Sequence, residues 1–348
     1  MNRCPLTIGT MIVIAWVLAC TAAAAPPAVN NFTGQTSFTP QEQDDIAAYV
    51  QYWCDEMTST GENAPSGVSA ARRRLLEPIR LSTTEFRLVY SNAITPLLRD
   101  AVAGENQHIA VNALTVLQEL GTDRALDVVQ DFCSRSDEPR MPIRLTATRA
   151  CGKLMNGRNV SATRVRAALR TIRGAVEEEE DGIVLRRQLE ALLGVRGPEA
   201  AEARSRVAQA LEAVLDRFDN RPEPPEADML RAIDSVLPDL RHAYLNLPGA
   251  DQTSLGRELA GPLVKALGLA QGQWEEAHKN PEKLKRLYAR IILVSEQILK
   301  QIDPRVRPGQ QTPTTALHRA WQDANKDRYE ADWRRWRSVV RPPAYGSP

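Results

Sequence analysis

The sequence predicts an all-α protein in which a stacked array of helix pairs is followed by a helical bundle. The apolar positions of residues 109–120 recur 34 residues later in residues 143–154. From residue 70 to about residue 218, apolar residues follow helical spacing and no strand-like alternation occurs. Beyond a proline-rich stretch, residues 281–302 keep a three-to-four spacing of apolar residues. A helical pattern that returns at this period is typical of stacked helix hairpins, which bind partners more often than they catalyse reactions.

The N-terminal 24 residues have the pattern of a secretory signal peptide. Arg3 precedes an apolar run, Met11–Ala19, and a patch of small residues ends at a cleavage point before Ala25. The run is short for a membrane span, which needs about 20 apolar residues. Alternatively, Cys20 follows Leu18-Ala19 as in a lipoprotein signal and is lipidated. We therefore expect an exported protein, periplasmic or secreted, that is soluble unless it is anchored through Cys20.

Charge and composition exclude some classes of partner. Removing residues 1–24 leaves 43 basic and 43 acidic residues, so the remaining chain has no net charge. A neutral balance argues against whole-surface attraction to nucleic acid, and we predict no nucleic-acid partner. The length of 348 residues and the apolar content of 43% allow a substantial core and about two domains.

Residues 25–69 are predicted to form a flexible leader followed by an N-terminal helix. Residues 25–37 are polar and rich in proline, asparagine and threonine. Thr39, Pro40 and Glu42 have the spacing of a capping box with proline in the first turn, which predicts the start of a helix. Residues 61–69 (GENAPSGVS) predict a loop.

Residues 70–219 are predicted to form the helix-pair array. A Ser82-x-x-Glu85 capping box precedes one helix, and the next, 109–120, ends at Gly121. Thr122-Asp123 opens its partner, and the pair repeats from Ile143 onward. A third copy begins at Ile183, where the apolar positions fit less cleanly.

Part of this array resembles the HEAT-like helical repeats. The residues that carry the resemblance are Glu138, Pro139, Ile143, Arg144, Ala147, Ala150, Gly152 and Leu154. In that family an apolar-Arg pair opens the first helix, two alanines allow close packing, and a Gly-x-apolar segment ends the helix. Residues 122–126 similarly resemble the start of the second helix. The copy at 108–121 has Ala110 in place of the arginine, and an acidic run, 177–181, interrupts the third copy.

The resemblance covers roughly residues 82–218. It implies a short HEAT-like α-solenoid with a partner-binding surface, and the family has no shared catalytic residues. We expect the acidic run itself to be a solvated turn, because consecutive helical residues point in different directions and do not converge on one cation.

Two proline-containing stretches divide the second half of the chain. Residues 220–226 contain three prolines and predict a semi-rigid linker. Residues 227–302 predict a helical bundle, and residues 303–313 predict a second linker. The last segment, 314–348, predicts a helix and tail rich in tryptophan and arginine.

The C-terminal helix contains the sequence Trp333-Arg334-Arg335-Trp336 and has two interpretations. Exposed tryptophans among arginines would suit contact with an anionic membrane or a cell-wall polymer. Alternatively, the tryptophans share one face that fastens the helix to the bundle, and the arginines are solvated.

The cysteines and histidines predict no metal site and no cofactor. No C-x-x-C pair and no zinc-type histidine pair occurs in the sequence. Cys133 and Cys151 lie on apolar faces of neighbouring repeats, which indicates two buried thiols. Export to an oxidising compartment leaves a Cys133–Cys151 disulfide as the alternative.

We therefore expect a non-catalytic scaffold or adaptor that binds a protein partner. The candidate binding residues on the polar faces of the repeat helices are Arg144, Arg149, Arg164, Arg170 and Arg187. One alternative function is cell-envelope attachment through Trp333, Arg334, Arg335 and Trp336. The other is a hydrolase whose distant catalytic residues leave no local motif.

Overall fold

A computed structural model describes residues 25–59, 65–219, 225–279, 283–341 and 344–345. The predicted signal peptide and Cys20 lie outside these residues, as does most of the predicted linker 220–226. The all-α prediction is confirmed, since the regular elements of the described chain are α-helices and two short 3-10 helices, Val29–Phe32 and Gly197–Glu199. The α-helices are α1 (Pro40–Ser59), α2 (Pro65–Leu76), α3 (Thr84–Ala103), α4 (Gln107–Leu120), α5 (Asp123–Gln130), α6 (Met141–Leu154), α7 (Ala162–Glu178), α8 (Gly182–Leu193), α9 (Ala200–Asp219), α10 (Ala227–Leu245), α11 (Gly249–Gly272), α12 (Trp274–Lys279), α13 (Lys283–Val306), α14 (Leu317–Gln322) and α15 (Lys326–Val339).

Side-chain caps define many of the helix starts. The Thr39–Glu42 capping box is confirmed, because the Thr39 amide donates to Glu42 Oε2 at 2.8 Å and the Glu42 amide donates back to Thr39 Oγ1. At α3 the cap is Thr83, whose Oγ1 accepts from the Phe86 amide, so the helix begins one residue later than the predicted Ser82 cap implies. Gly121 ends α4 in the left-handed conformation, at φ 66°.

The helices form two layers. Each helix from α1 to α9 packs against the helix two positions further along the chain, so these contacts extend to α11. One layer therefore contains α2, α4, α6, α8 and α10, and the other contains α1, α3, α5, α7, α9 and α11. The apolar faces of both layers meet in one continuous buried core. This alternation is the packing of a helical repeat.

The two layers continue across the predicted linker between array and bundle. Helix α10 packs on α8, and α11 packs on α9, so the predicted bundle helices extend the array. The contact at the start of α10 is close: a Cβ added to Gly182 would lie 2.4 Å from the Asp228 carbonyl carbon. Only glycine leaves room for this approach. This contact also fixes which side of α8 faces the core: Val184 is buried, whereas Ile183 is 55% exposed. The exposure of Ile183 explains why α8 fits the repeat pattern poorly.

The predicted flexible leader is packed against the array, which corrects that expectation. Val29 is fully buried in the first 3-10 helix. The Thr83 amide donates to Thr33 O at 2.9 Å, and Thr83 Oγ1 donates to Gln35 O at 2.6 Å. These long-range hydrogen bonds hold the segment that precedes α1.

The predicted second linker, 303–313, is also corrected at its start. Helix α13 continues to Val306, because Asp303 is buried and paired with Arg307 at 2.7 Å. The Tyr345 hydroxyl donates to the same carboxylate at 2.6 Å, which brings the C-terminal residues back onto α13. The single C-terminal helix predicted from the sequence is two helices, α14 and α15, separated by a turn with Ala324 at φ 51°.

Glu296 joins α13 to α14 from a buried position. Its carboxylate accepts from Thr315 Oγ1 at 2.6 Å, from Lys300 Nζ at 2.9 Å and from the Leu317 amide at 3.3 Å. Burial by itself raises the pKa of Glu296, but these hydrogen bonds and the Lys300 charge outweigh it and hold the pKa below its usual value. The charged form therefore stabilises the start of α14.

Candidate functional site

The exposed arginines predicted from the repeat helices lie on two opposite faces of the array. Arg149 and Arg187 lie on α6 and α8, whereas Arg164 and Arg170 lie on α7 in the other layer. Arg164 pairs with Asp127 at 3.2 Å, and Arg187 pairs with Glu190 at 2.9 Å. The structure therefore does not bring these predicted binding residues together.

Arg144 belongs to the interior, which corrects its placement on a binding surface. Its guanidinium makes two 2.9 Å hydrogen bonds to the Glu179 carboxylate, and both side chains are buried. Arg144 Nη1 also donates to the carbonyl oxygens of Glu138 and Pro139, at 3.0 and 2.8 Å. Because the α5–α6 and α7–α8 loops meet here, this ion pair joins neighbouring repeats.

The acidic run 177–181 is consequently not a solvated turn. Glu179 is fully buried against Arg144, Glu180 pairs with Arg135, and Glu178 accepts from Ser136 at 3.1 Å. Asp181 caps α8 by accepting from two backbone amides. Glu178, Glu179 and Glu180 are thus used in contacts between repeats, whereas Asp181 caps its own helix.

The opposite loop edge of the array contains the α2–α3, α4–α5, α6–α7 and α8–α9 loops, which hydrogen bonds hold side by side. Arg87 donates to Ile79 O at 2.6 Å and to Glu119 O at 3.1 Å, so it joins the first two loops. The Ser161 amide donates to Asp123 Oδ1 at 2.7 Å, which joins the second to the third.

Asn156 joins the last two loops. Its Nδ2 donates to Gly194 O at 3.3 Å, and its Oδ1 accepts from the Arg196 amide at 2.9 Å. Backbone groups of loops need such partners wherever they are shielded from water. The four loops therefore present one continuous and internally fixed edge.

Each of these four loops, or the first turn that follows it, carries one exposed arginine: Arg80, Arg124, Arg158 and Arg196. We call this row the arginine edge. Within the described part of the chain, none of the four guanidinium groups has an ion-pair or hydrogen-bond partner. Some exposed arginines elsewhere in the array, such as Arg164 and Arg187, pair with acids of the same or the neighbouring helix. Arg149 and Arg170 have no ion-pair partner among the described residues, but they lie on α6 and α7, in different layers. No described carboxylate therefore contacts the guanidinium groups of the arginine edge, although the Asp123 carboxylate lies on the same edge.

An open groove of about 630 Å³ lies between the α6–α7 and α8–α9 loops. Met155, Val160, Val165 and Pro198 give it apolar walls, and Arg196 lies on its lining. Lys153 also lines it but pairs with Glu119 at 2.6 Å. The groove therefore combines an apolar surface with one unpaired cation.

Sequence reasoning missed the arginine edge, although the signal was present. Arg124 and Arg158 are separated by 34 residues, the same period that the apolar positions show. Applying that period to loop residues as well as to core residues would have placed them in one row.

The tryptophans of α15 face the protein interior. Trp336 is fully buried, and its Nε1–H donates to Thr315 Oγ1 at 3.0 Å. Trp333 Nε1–H donates to Val264 O at 3.3 Å, and its ring lies over Gly268. The exposed Arg334 and Arg335 pair with Glu330 at 2.5 Å and Asp332 at 3.1 Å. This arrangement matches the interpretation in which the tryptophans fasten the last helix to the bundle.

The described cysteines are free thiols and all are buried. A hydrogen bond with the Cys133 thiol and burial raise the pKa of Cys151. Burial raises the pKa of Cys54 to about 12. Cys133 and Cys151 therefore adjoin one another as thiols, and the disulfide alternative is not formed in this structure.

Within the ranges described above, no three His, Cys, Asp or Glu side chains lie close enough to hold a metal ion. None of the described helices is long and apolar enough to cross a membrane.

Comparisons with known proteins do not place the chain in a family. No protein-family model matches the sequence, and no curated protein matches it. Among solved structures, an engineered protein from the Northeast Structural Genomics Consortium is similar at 15% sequence identity and a TM-score of 0.38. The match covers 72% of this chain and 97% of the engineered one.

Proposed function

We propose that this protein is an exported, non-catalytic scaffold that binds a protein partner along the arginine edge. The observation that carries the proposal is the row of four exposed arginines on loops that Arg87, Ser161 and Asn156 fasten to one another. A fixed row of unpaired guanidinium groups favours association because it needs little reorganisation when a partner binds.

The array on which the edge lies is proposed to be a HEAT-like α-solenoid. Two-layer packing with contacts between alternate helices supports this assignment. The 34-residue recurrence of apolar positions between α4 and α6 supports it as well. Such arrays tolerate changes in surface residues without disturbing the core, which suits them to specific binding.

Export is proposed from the charge, apolar run and small-residue patch of residues 1–24. The mature mass distinguishes the two processing routes. Cleavage before Ala25 leaves an unmodified N-terminus, whereas a lipoprotein begins at an acylated Cys20.

In-cell cross-linking and affinity capture of the full-length, C-terminally tagged protein test the proposed function. We expect one protein partner, recovered in near-equal amount. Recovery of that partner should fall in the Arg158→Gln/Arg196→Gln variant and stay unchanged in the Arg257→Gln/Arg328→Gln variant. The control pair suits this purpose because Arg257 on α11 and Arg328 on α15 are exposed and, within the described residues, have no ion-pair partner. Recovery of no protein partner contradicts the scaffold function.

A further inference from the structure

The packing distance between neighbouring helices sets the expected spacing of the arginines along the arginine edge. Helices packed side by side are about 8–10 Å apart, so arginines on successive loops are separated by roughly that distance. A polyproline II segment advances about 3.1 Å per residue with three residues per turn, so its side chains three residues apart lie on the same side and about 9 Å apart. A segment in this extended conformation, with a carboxylate at every third position, therefore presents one carboxylate to each arginine in turn.

The groove adds a requirement for an apolar side chain. It lies between the loops that carry Arg158 and Arg196, and its walls include Val160 and Pro198. At the other end of the row, Leu81 is 93% exposed next to Arg80. Apolar surface therefore lies at both ends of the row. Burying it against a partner adds binding free energy that the charges alone do not supply.

The same residues disfavour single-stranded nucleic acid as the occupant. Proteins that bind single strands stack bases on aromatic side chains beside the basic groove. The loop sequences 77–83, 121–124, 155–161 and 194–199 contain no aromatic residue.

We propose that the arginine edge binds an extended acidic segment of a protein partner, with carboxylates at every third position and an apolar side chain seated in the groove. This inference rests on the proposed scaffold function and names the chemistry of the partner. Arg80, Arg124, Arg158 and Arg196 each pair with one carboxylate, and the apolar side chain lies between the last two pairs.

A fluorescein-labelled peptide of about twelve residues tests the spacing, since its length in the polyproline II conformation spans the row. The probe has glutamate at every third position and a leucine in each end spacer, which allows either chain direction. A control peptide has the same composition with its glutamates contiguous. Fluorescence anisotropy at low salt gives the dissociation constant of each peptide for the full-length protein.

We expect the spaced peptide to bind saturably and several-fold more tightly than the contiguous peptide. Exposed ion pairs are individually weak, so Arg158→Gln/Arg196→Gln should weaken binding by about two- to thirtyfold. The Arg257→Gln/Arg328→Gln variant should change the dissociation constant by less than about twofold, and added salt should weaken binding to the wild type.

Three results overturn the inference: no saturable binding, equal affinity for the two peptides, or equal loss in the two double variants. Tighter binding of a single-stranded oligonucleotide than of the spaced peptide also overturns it. A protein partner captured in cells through Arg158 and Arg196, together with a peptide that fails to bind, refutes the acidic-segment chemistry and leaves the scaffold function standing.

Discussion

Removing one partner of the buried ion pair between Arg144 and Glu179 should be among the most destabilising single substitutions in the array. Replacing Glu179 with alanine removes both 2.9 Å hydrogen bonds from the Arg144 guanidinium and leaves a buried cation without its counter-charge. The substitution also removes the acceptor for the amides of Glu180 and Asp181, which donate to Glu179 Oε1 at 3.2 and 3.0 Å. Breaking a buried pair by removing one partner costs about 3–5 kcal/mol.

A second variant isolates the cost of the unpaired charge. Arg144→Met/Glu179→Met replaces both members with apolar side chains of similar volume, so no charge is left buried. Backbone groups that bonded to the pair still lose their partners, and each such group costs about 1 kcal/mol or more. We therefore expect the double variant to regain at least about 1–2 kcal/mol relative to Glu179→Ala.

Urea unfolding, followed by both far-UV circular dichroism and tryptophan fluorescence, measures these differences and reveals departures from two-state behaviour. Arg149→Met is the matched control, because Arg149 lies on the same helix but is exposed, and it should change the free energy of unfolding by no more than about 0.5 kcal/mol. The reasoning is refuted if Glu179→Ala costs less than about 1 kcal/mol, or if the double variant is no more stable than Glu179→Ala.

Three further perturbations test other contacts. Gly182→Ala should lower the free energy of unfolding by about 1–3 kcal/mol, because the new Cβ would lie 2.4 Å from the Asp228 carbonyl carbon. Gly174→Ala is the control, and it should be neutral or stabilising because no described atom outside its own helix lies within 4 Å of its Cβ position. Equal urea midpoints for the two variants would contradict this packing. Because the folded pKa of Glu296 is lowered, its contribution is complete above the unfolded pKa near 4.5 and is lost as pH falls through the folded value. Stability measured from pH 6 downward should therefore fall less steeply in Glu296→Gln, and parallel pH profiles would show that the carboxylate does not act in this way. Cys54 and Cys151 are buried and have raised pKa values, so they should resist alkylation by iodoacetamide in the folded protein and react after unfolding. Mass spectrometry detects the alkylation. Rapid alkylation of either cysteine in the native protein would be inconsistent with its burial.

Local sequence signals predicted the helices well because their physical causes are local. The Thr39–Glu42 capping box uses hydrogen bonds within one turn, and the left-handed Gly121 ends α4 at the position that the sequence indicates. Proline-rich composition was a weaker guide, since α13 runs into the predicted linker 303–313 once Asp303 is buried by Arg307 and Tyr345.

The prediction of site residues was limited by contacts between residues far apart in the chain. The helical pattern places Arg144 on the polar face of α6, but its side chain is buried because it pairs with Glu179, 35 residues away. Trp336 is likewise a candidate surface residue in the sequence. In the structure it is buried, and its indole donates a hydrogen bond to Thr315, 21 residues earlier.

By itself, the sequence determined that the chain is all-α and that α4 and α6 share one apolar phase, because helical periodicity and capping depend on neighbours a few residues apart. Only the tertiary structure decided which charged side chains are paired within the fold and which remain exposed without a contacting partner among the described residues. Ion pairing depends on distances of a few ångströms between loops of successive repeats, and those distances follow from helix packing. The acids of residues 178–181 are thereby used within the array, whereas Arg80, Arg124, Arg158 and Arg196 remain exposed along the opposite edge.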